Sequence, residues 1–190
     1  MQQRQFFTLP NAITAYRIVA GPFCMWLLTL QSPLWLWIAF GLVVSAEISD
    51  LIDGYVARSQ AQVSNFGKIL DPMADCLYRG AVFIAFVING WMPVWMLSII
   101  VWRDLAVSYL REIAQLKSET LGARASGKWK AVAQGVAQVS IVGLVALFGK
   151  DGIALYRPAV EALLILATVV TAYSLFDYAS GVMQRTWRVR

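Results

Sequence analysis

Asp50-Leu-Ile-Asp-Gly-Tyr-Val-Ala-Arg58, followed eight residues later by Gly67-Lys-Ile-Leu-Asp-Pro-Met-Ala-Asp75, is the stretch on which the reading of this chain turns. Its four aspartates interrupt apolar surroundings at two spacings, Asp50 and Asp53 three apart, Asp71 and Asp75 four apart. On helices each spacing stacks its pair on one face, so two facing helices aim four carboxylates into one small volume. At ~6 Å and an effective dielectric of ~20, each like-charge pair costs about 3 kcal/mol. Such a cluster needs a cation.

Histidine is absent, which removes imidazole as base, nucleophile or ligand. Cys24 and Cys76 stand far apart in apolar runs, without zinc spacing, and read as small buried hydrophobes. The donors left are oxygens, which suit the hard cations Mg²⁺ or Mn²⁺. Four carboxylates can hold two such ions, and a two-ion clamp serves displacement at phosphorus.

Working outward, 59% of the 190 residues are hydrophobic and only 14% charged, against about 25% charged in soluble domains. The predicted fold is therefore all-α, a polytopic membrane protein with six transmembrane helices and an N-terminal interfacial segment. The apolar runs cover roughly 13–31, 33–58, 68–89, 93–115, 127–149 and 155–181, each near the ~20 residues that a ~30 Å hydrocarbon layer requires. Turn chemistry separates them at Gln31-Ser32-Pro33, Asn89 to Pro93 and Gly149 to Gly152. Residues 1–12, with Phe6, Phe7 and Leu9 beside Arg4, are too short and polar for a signal-peptide core and are read as an interfacial segment. Residues 13–181 form a single six-helix domain, and 182–190 a basic cytoplasmic tail.

The net charge of +5 is distributed unevenly. Arg17, Arg58, Lys68, Arg111, Arg124, Lys128, Lys130 and the terminal arginines fall on one side of the six-span arrangement, and Lys150 and Arg157 on the other. Basic loops mark the cytoplasmic face, so both termini and the acidic cluster are expected there, in a bacterial inner membrane. This accounts for the basic balance without nucleic acid. Trp35, Trp37, Trp91, Trp95 and Tyr156 fit an outer interfacial belt, Trp129 and Trp187 an inner one.

Aspartates inside membrane helices are functional by default. Gly54, directly after Asp53, either permits helix packing or leaves room for a ligand. Arg58, one turn further, either anchors the cytoplasmic face or forks two hydrogen bonds to a phosphate.

The gapped pattern D-x-x-D-G-x-x-A-R-x8-G-x3-D-x3-D resembles the signature of the CDP-alcohol phosphatidyltransferases, with every fixed position filled by Asp50, Asp53, Gly54, Ala57, Arg58, Gly67, Asp71 and Asp75. The resemblance implies that Asp50, Asp53, Asp71 and Asp75 ligate two Mg²⁺ or Mn²⁺ ions per active site. It implies that Gly54, Ala57, Arg58 and Gly67, with Asp50 and Asp53, shape a CDP site, and that Asp75 is the general base. It also implies a homodimer, for which the chain itself offers only small residues such as Gly135, Ala137 and Gly143.

Beyond that window, Arg103 to Glu112 and Gly127 to Gln134 resemble the R-x4-S-x-L-R-E and G-K-x-K-T-x-x-Q arrangement of phosphatidylglycerophosphate synthases, and the likeness extends to Tyr173-Ser-Leu-Phe-Asp-Tyr178. The reaction implied is phosphatidyl transfer from CDP-diacylglycerol to sn-glycerol 3-phosphate with release of CMP. Arg103, Arg111, Lys128 and Lys130 would then form a cationic pocket for the acceptor phosphate. Ala131 replaces the usual threonine, Cys76 stands where that subfamily commonly has lysine, and Arg79-Gly-Ala-Val-Phe83 is closer to inositol-phosphate enzymes. Inositol phosphate or serine are therefore the alternative acceptors.

Two charge pairs are expected deeper in the helices. Glu47 and Arg79 should pair across the second and third spans, so that exchanging them restores activity that either neutral change removes. Asp104 should partner a basic neighbour. A cation channel or transporter built on the same acids is the reading from another class, but it needs polar groups continuing outward. Leu34 to Val44 and Val82 to Ile88 are apolar.

Overall fold

A computed structural model describes the backbone of residues 9–60, 65–116 and 124–187; within these, the side chains of residues 9–11, 13, 51–69, 71, 112–116 and 182–187 lie outside the described set. Among the described residues the chain is all-helical. Its elements are α1 (Leu9–Leu30), α2 (Pro33–Gln60), α3 (Asn65–Ile88), α4 (Val94–Leu116), α5 (Ala125–Phe148), the short α6 (Lys150–Leu155) and α7 (Arg157–Trp187). The six apolar runs correspond to α1 to α5 and α7. Helix α1 begins inside the segment read as interfacial, and α7 continues past residue 181, where the tail was expected to start.

The shortest of the six long helices has 22 residues, or about 33 Å at 1.5 Å per residue, enough to cross a hydrocarbon layer. Length and apolarity together qualify three stretches as membrane spans, Pro33–Asp50, Ala125–Phe148 and Arg157–Gly181, with Thr14–Leu30 a shorter apolar helix. Helices α3 and α4 stand apart by their charges, among them Asp75 and Arg79 on α3 and Arg103, Asp104 and Arg111 on α4. The protein is a membrane protein on these grounds. Its outward faces agree: Trp102, Leu105 and Tyr109 on α4, and Val169, Tyr173 and Phe176 on α7, are large, exposed and spaced to share one helix face.

The turns close as their residues dictate. Gly90, at φ 73°, ends α3 with Trp91 N–H donating to Phe86 C=O at 2.8 Å and Gly90 N–H to Val87 C=O at 3.0 Å, the paired closure that favours glycine. Gln31 donates to Leu28 C=O at 3.0 Å and also to the Asn89 side chain, tying the first turn to the third. Gly149, expected as a plain turn, instead separates α5 from the six-residue α6.

Helix α1 packs on α2 and α3, α5 on α2 and α7, and α4 on α7 and α3. A Cβ on Gly21 would lie 2.8 Å from Tyr78 Cα, so α1 approaches α3 only because position 21 has no side chain. Leu27, Leu36, Val43, Val82, Phe86 and Ile141 fill the apolar core. At one end of the bundle, where α2, α4 and α7 finish and α1, α3 and α5 begin, the buried residues turn polar: Arg17, Arg79, Arg103, Asp104 and Lys130.

Candidate active site

Charges buried at that end are costly unless paired, and each finds partners on a different helix. Arg17 of α1, 1% exposed, donates from Nη1 to Asp50 Oδ1 of α2 at 2.6 Å. Arg79 of α3, 2% exposed, donates from Nε to Asp75 Oδ1 at 2.7 Å, one turn away on the same helix. The other end of its guanidinium reaches Glu47 of α2 at 3.0 Å, so the pair expected across these helices forms. Helix α5 passes close by: a Cβ on Gly135 would lie 2.5 Å from Glu47 Oε2. Asp75, Arg79 and Glu47 thus make a chain of ionic contacts under the bare backbone of Gly135.

A second set lies on α4, α5 and α7. Asp104 accepts from Arg103 Nη1 at 3.0 Å and from Lys130 Nζ at 2.9 Å. Arg103 also donates to Ser174 Oγ at 2.6 Å. Arg111 donates to the Tyr178 hydroxyl at 2.8 Å, and Arg124 bonds both the carboxylate and the main-chain carbonyl of Asp177. A Cβ on Gly181 would overlap the Arg124 guanidinium, so that arginine lies across a glycine.

Between the two sets opens a cavity of ≈ 260 Å³. Asp50, Asp75 and Cys76 line one side; Arg103, Asp104, Arg111, Lys128, Lys130 and Tyr178 line the other. Two of the four aspartates singled out by sequence, and all four basic residues expected to bind a phosphate, therefore face one space. Asp53, Gly54, Ala57 and Arg58 sit on the last turns of α2, and Gly67 and Asp71 on the first turns of α3; their side chains lie outside the described residues.

The basic residues are not equivalent. Lys130, 4% exposed, and Arg103 are both engaged by Asp104. Arg111 and Lys128 have no carboxylate partner among the described residues, so theirs are the charges left for a ligand. Sequence reasoning assigned no site role to Arg17, Arg124 or Tyr178. Both arginines were weighed only as markers of orientation, and Tyr178 only as the end of a matching motif. Cys76, read as a buried hydrophobe, is half-exposed at the cavity.

The donor set fits a hard cation. Asp50 and Asp75 each give Oδ1 to an arginine, while Oδ2 of neither is engaged among the described residues, and both residues face the cavity. Among the described residues no three acids or cysteines converge as ligands; Asp53 and Asp71, on neighbouring turns, would complete the set.

The sequence model of the family described as CDP-alcohol phosphatidyltransferase matches residues 7–174. The chain is 38% identical over 147 residues to a Mycoplasma pneumoniae protein named CDP-diacylglycerol--glycerol-3-phosphate 3-phosphatidyltransferase, covering 68% of this chain and 65% of that one. Proteins of the same name are 37% identical in Cereibacter sphaeroides, over 69% of this chain and 61% of the relative, and 34% identical in Rickettsia bellii, over 88% and 93%. The chain spans somewhat less than two thirds of the Mycoplasma and Cereibacter relatives.

Proposed function

The chain belongs to the CDP-alcohol phosphatidyltransferase family, and from that premise we propose that it transfers a phosphatidyl group from CDP-diacylglycerol to sn-glycerol 3-phosphate, releasing CMP. The observation that carries this reading is the two-sided cavity, with Asp50 and Asp75 opposite Arg111 and Lys128. A carboxylate suits a hydroxyl that must lose its proton, and unpaired cations suit a phosphate on the same small molecule. Serine, which has no phosphate, would leave Arg111 and Lys128 without a counter-charge.

In this mechanism Arg111 and Lys128 hold the acceptor phosphate and present the far hydroxyl to Asp75. Asp75 takes the proton as the oxygen bonds to the lipid-side phosphorus. The bond to the bridging oxygen breaks, and CMP departs with its electrons. Arg79 fixes Asp75 in one orientation through the 2.7 Å contact, and Glu47 fixes Arg79. Gly54, Ala57, Arg58 and Gly67 would receive the cytidine diphosphate with Asp50 and Asp53. Members of the family work with divalent metals; here Mg²⁺ or Mn²⁺, two per site, would be held by Asp50, Asp53, Asp71 and Asp75 and would neutralise charge on the pyrophosphate.

The arrangement proposed in the membrane has six spans, α1 to α5 and α7, crossing a bacterial inner membrane with the site and both termini cytoplasmic. Residues 1–12 would lie at the interface, 182–190 would form the basic tail, and the enzyme would work as a homodimer. The decisive assay uses purified protein in detergent with labelled CDP-diacylglycerol and, separately, glycerol 3-phosphate, inositol phosphate and serine. CMP release is expected with glycerol 3-phosphate and only with a divalent ion present. Release with serine alone would overturn the proposal.

A further inference from the structure

Three guanidinium groups surround a single aromatic ring. Arg103, Arg111 and Arg124 place their central carbons 5.5, 5.4 and 5.8 Å from the centroid of Tyr178, a residue 1% exposed on α7. Each ring contact is attractive, but three like charges gathered round one ring repel one another. Arg103 is offset by Asp104 and Arg124 by Asp177. Arg111 has neither. Its Nη2 donates to the Tyr178 hydroxyl, and its Nε is buried without a hydrogen-bond partner among the described residues. Among the described residues, one positive charge of the cluster is thus held by a neutral phenol alone, at the wall of the cavity.

The phenol is constrained in turn. Its oxygen accepts from Arg111 Nη2 at 2.8 Å and from the main-chain N–H of Arg124 at 3.1 Å. Two N–H donors occupy the acceptor positions of a hydroxyl, so its own proton is free only to donate. A Cβ on Gly127 would lie 3.2 Å from that oxygen, and the absence of one lets the first turn of α5 approach it closely. Tyr178 lines the same cavity. The cavity therefore meets a donor-only hydroxyl beside an uncompensated guanidinium, which matches an oxyanion and not a neutral alcohol.

We infer that Tyr178 is the residue that builds and completes the acceptor-phosphate site: its ring carries the arginines, its oxygen fixes Arg111 and the start of α5, and its O–H donates to the bound phosphate. It selects phosphorylated alcohols over free ones. This rests on the reading of the cavity given under Proposed function, and the test separates the two.

The test compares purified full-length wild type with Tyr178→Phe, which keeps the ring and removes the hydroxyl, and with Arg111→Lys, which keeps the charge and removes the fork. KM for glycerol 3-phosphate and for CDP-diacylglycerol is measured for each, and inorganic phosphate binding is followed by calorimetry without turnover. Tyr178→Phe should raise the acceptor KM and the phosphate Kd together, by about tenfold, the loss of one hydrogen bond to a charged group. The KM for CDP-diacylglycerol should move less than about twofold, whereas a general loss of packing would shift both substrates. A folded Tyr178→Phe protein that binds phosphate as wild type does overturns the inference, as does a wild type that binds none. Should Tyr178→Phe fail to fold, Arg111→Lys decides on the same readouts: parallel weakening supports the inference and unchanged binding overturns it. A wild type that uses inositol phosphate and not glycerol 3-phosphate, yet binds phosphate through Tyr178, would sink the proposed function and leave this inference standing, whereas one that uses only unphosphorylated alcohols would overturn both.

Discussion

The two ends of the helix bundle each hold a cavity, and the larger one is not the one that Asp50 and Asp75 line. Among the α3–α4 turn, α6 and the start of α7 lies a cavity of ≈ 710 Å³; the one lined by the aspartates is ≈ 260 Å³. The larger cavity is walled by Trp91, Met92, Met96, Ile153 and Leu164 together with exposed charges, and its Arg157–Glu161 ion pair is 74% and 53% exposed. At the aspartate end Arg17, Arg79, Arg103, Asp104 and Lys130 are all nearly sealed from solvent. Burying charge costs several kcal/mol per ion before pairing recovers it. A chain that does this five times in one place, while the charges lining the roomier void at its other end, Lys150, Asp151, Arg157 and Glu161, stay exposed, reveals where position matters. Charge held under constraint marks the site better than volume does.

The sharpest way to break that contrast is Asp75→Asn. Amide for carboxylate is nearly isosteric, so the fold should survive, with unchanged helicity by circular dichroism. Turnover should fall by roughly 10³-fold or more, the scale of a lost general base compounded by a lost cation ligand. Turnover within tenfold of wild type would remove Asp75 from the reaction.

A second test concerns the ionic chain behind Asp75. The sequence alone suggested that exchanging Glu47 and Arg79 would restore activity, and the contacts of Arg79 lead to the opposite expectation. Arg79 serves two acids, Asp75 at 2.7 Å and Glu47 at 3.0 Å. A glutamate at position 79 would therefore stand beside Asp75, two carboxylates one helical turn apart, with the new arginine on α2 pressed against Gly135. The double exchange should stay at least about a hundredfold below wild type, on the scale of breaking a buried pair, ~3 kcal/mol. Glu47→Gln alone, which leaves the Asp75 contact in place, should cost less. Full recovery in the exchange would show that Arg79 does not hold Asp75.

That reversal shows what sequence could and could not tell. Apolar run length and turn residues located the six long helices with ends at most six residues off, because a long apolar run closes its own backbone hydrogen bonds as a helix and glycine or proline marks its ends. The acidic spacing located Asp50 and Asp75 because period 3.6 ties sequence distance to helix face. Nothing comparable links residues on different helices. Arg17 is 33 positions from Asp50, and Tyr178 is 67 from Arg111, and no local periodicity reports either contact. For the same reason a count of basic residues could not reveal that Asp104 already engages Lys130 and Arg103, while Arg111 and Lys128 have no carboxylate partner among the described residues. α6 was missed because Lys150-Asp151-Gly152 reads as a turn, and a single short helix built there has no apolar period to betray it.

The smallest expected effect lies at the α6 end of the bundle, and it tests the contrast from the other side. Arg157 and Glu161 meet at 2.8 Å as an i,i+4 pair with both side chains largely exposed. Exposed pairs of this kind contribute ~0.5 kcal/mol or less, since solvent screens them and ordering two long side chains costs entropy. Replacing both by alanine should leave the KM for either substrate and the turnover rate within about twofold of wild type. Comparing the double change with both single changes in one thermal unfolding series should give a coupling near zero. A tenfold loss of turnover would require the ≈ 710 Å³ cavity to communicate with Asp75. The core between them, with Val82, Phe83 and Phe86 of α3 and Ile141 and Val145 of α5 in one apolar cluster, holds no salt bridge among the described residues through which a surface ion pair could act.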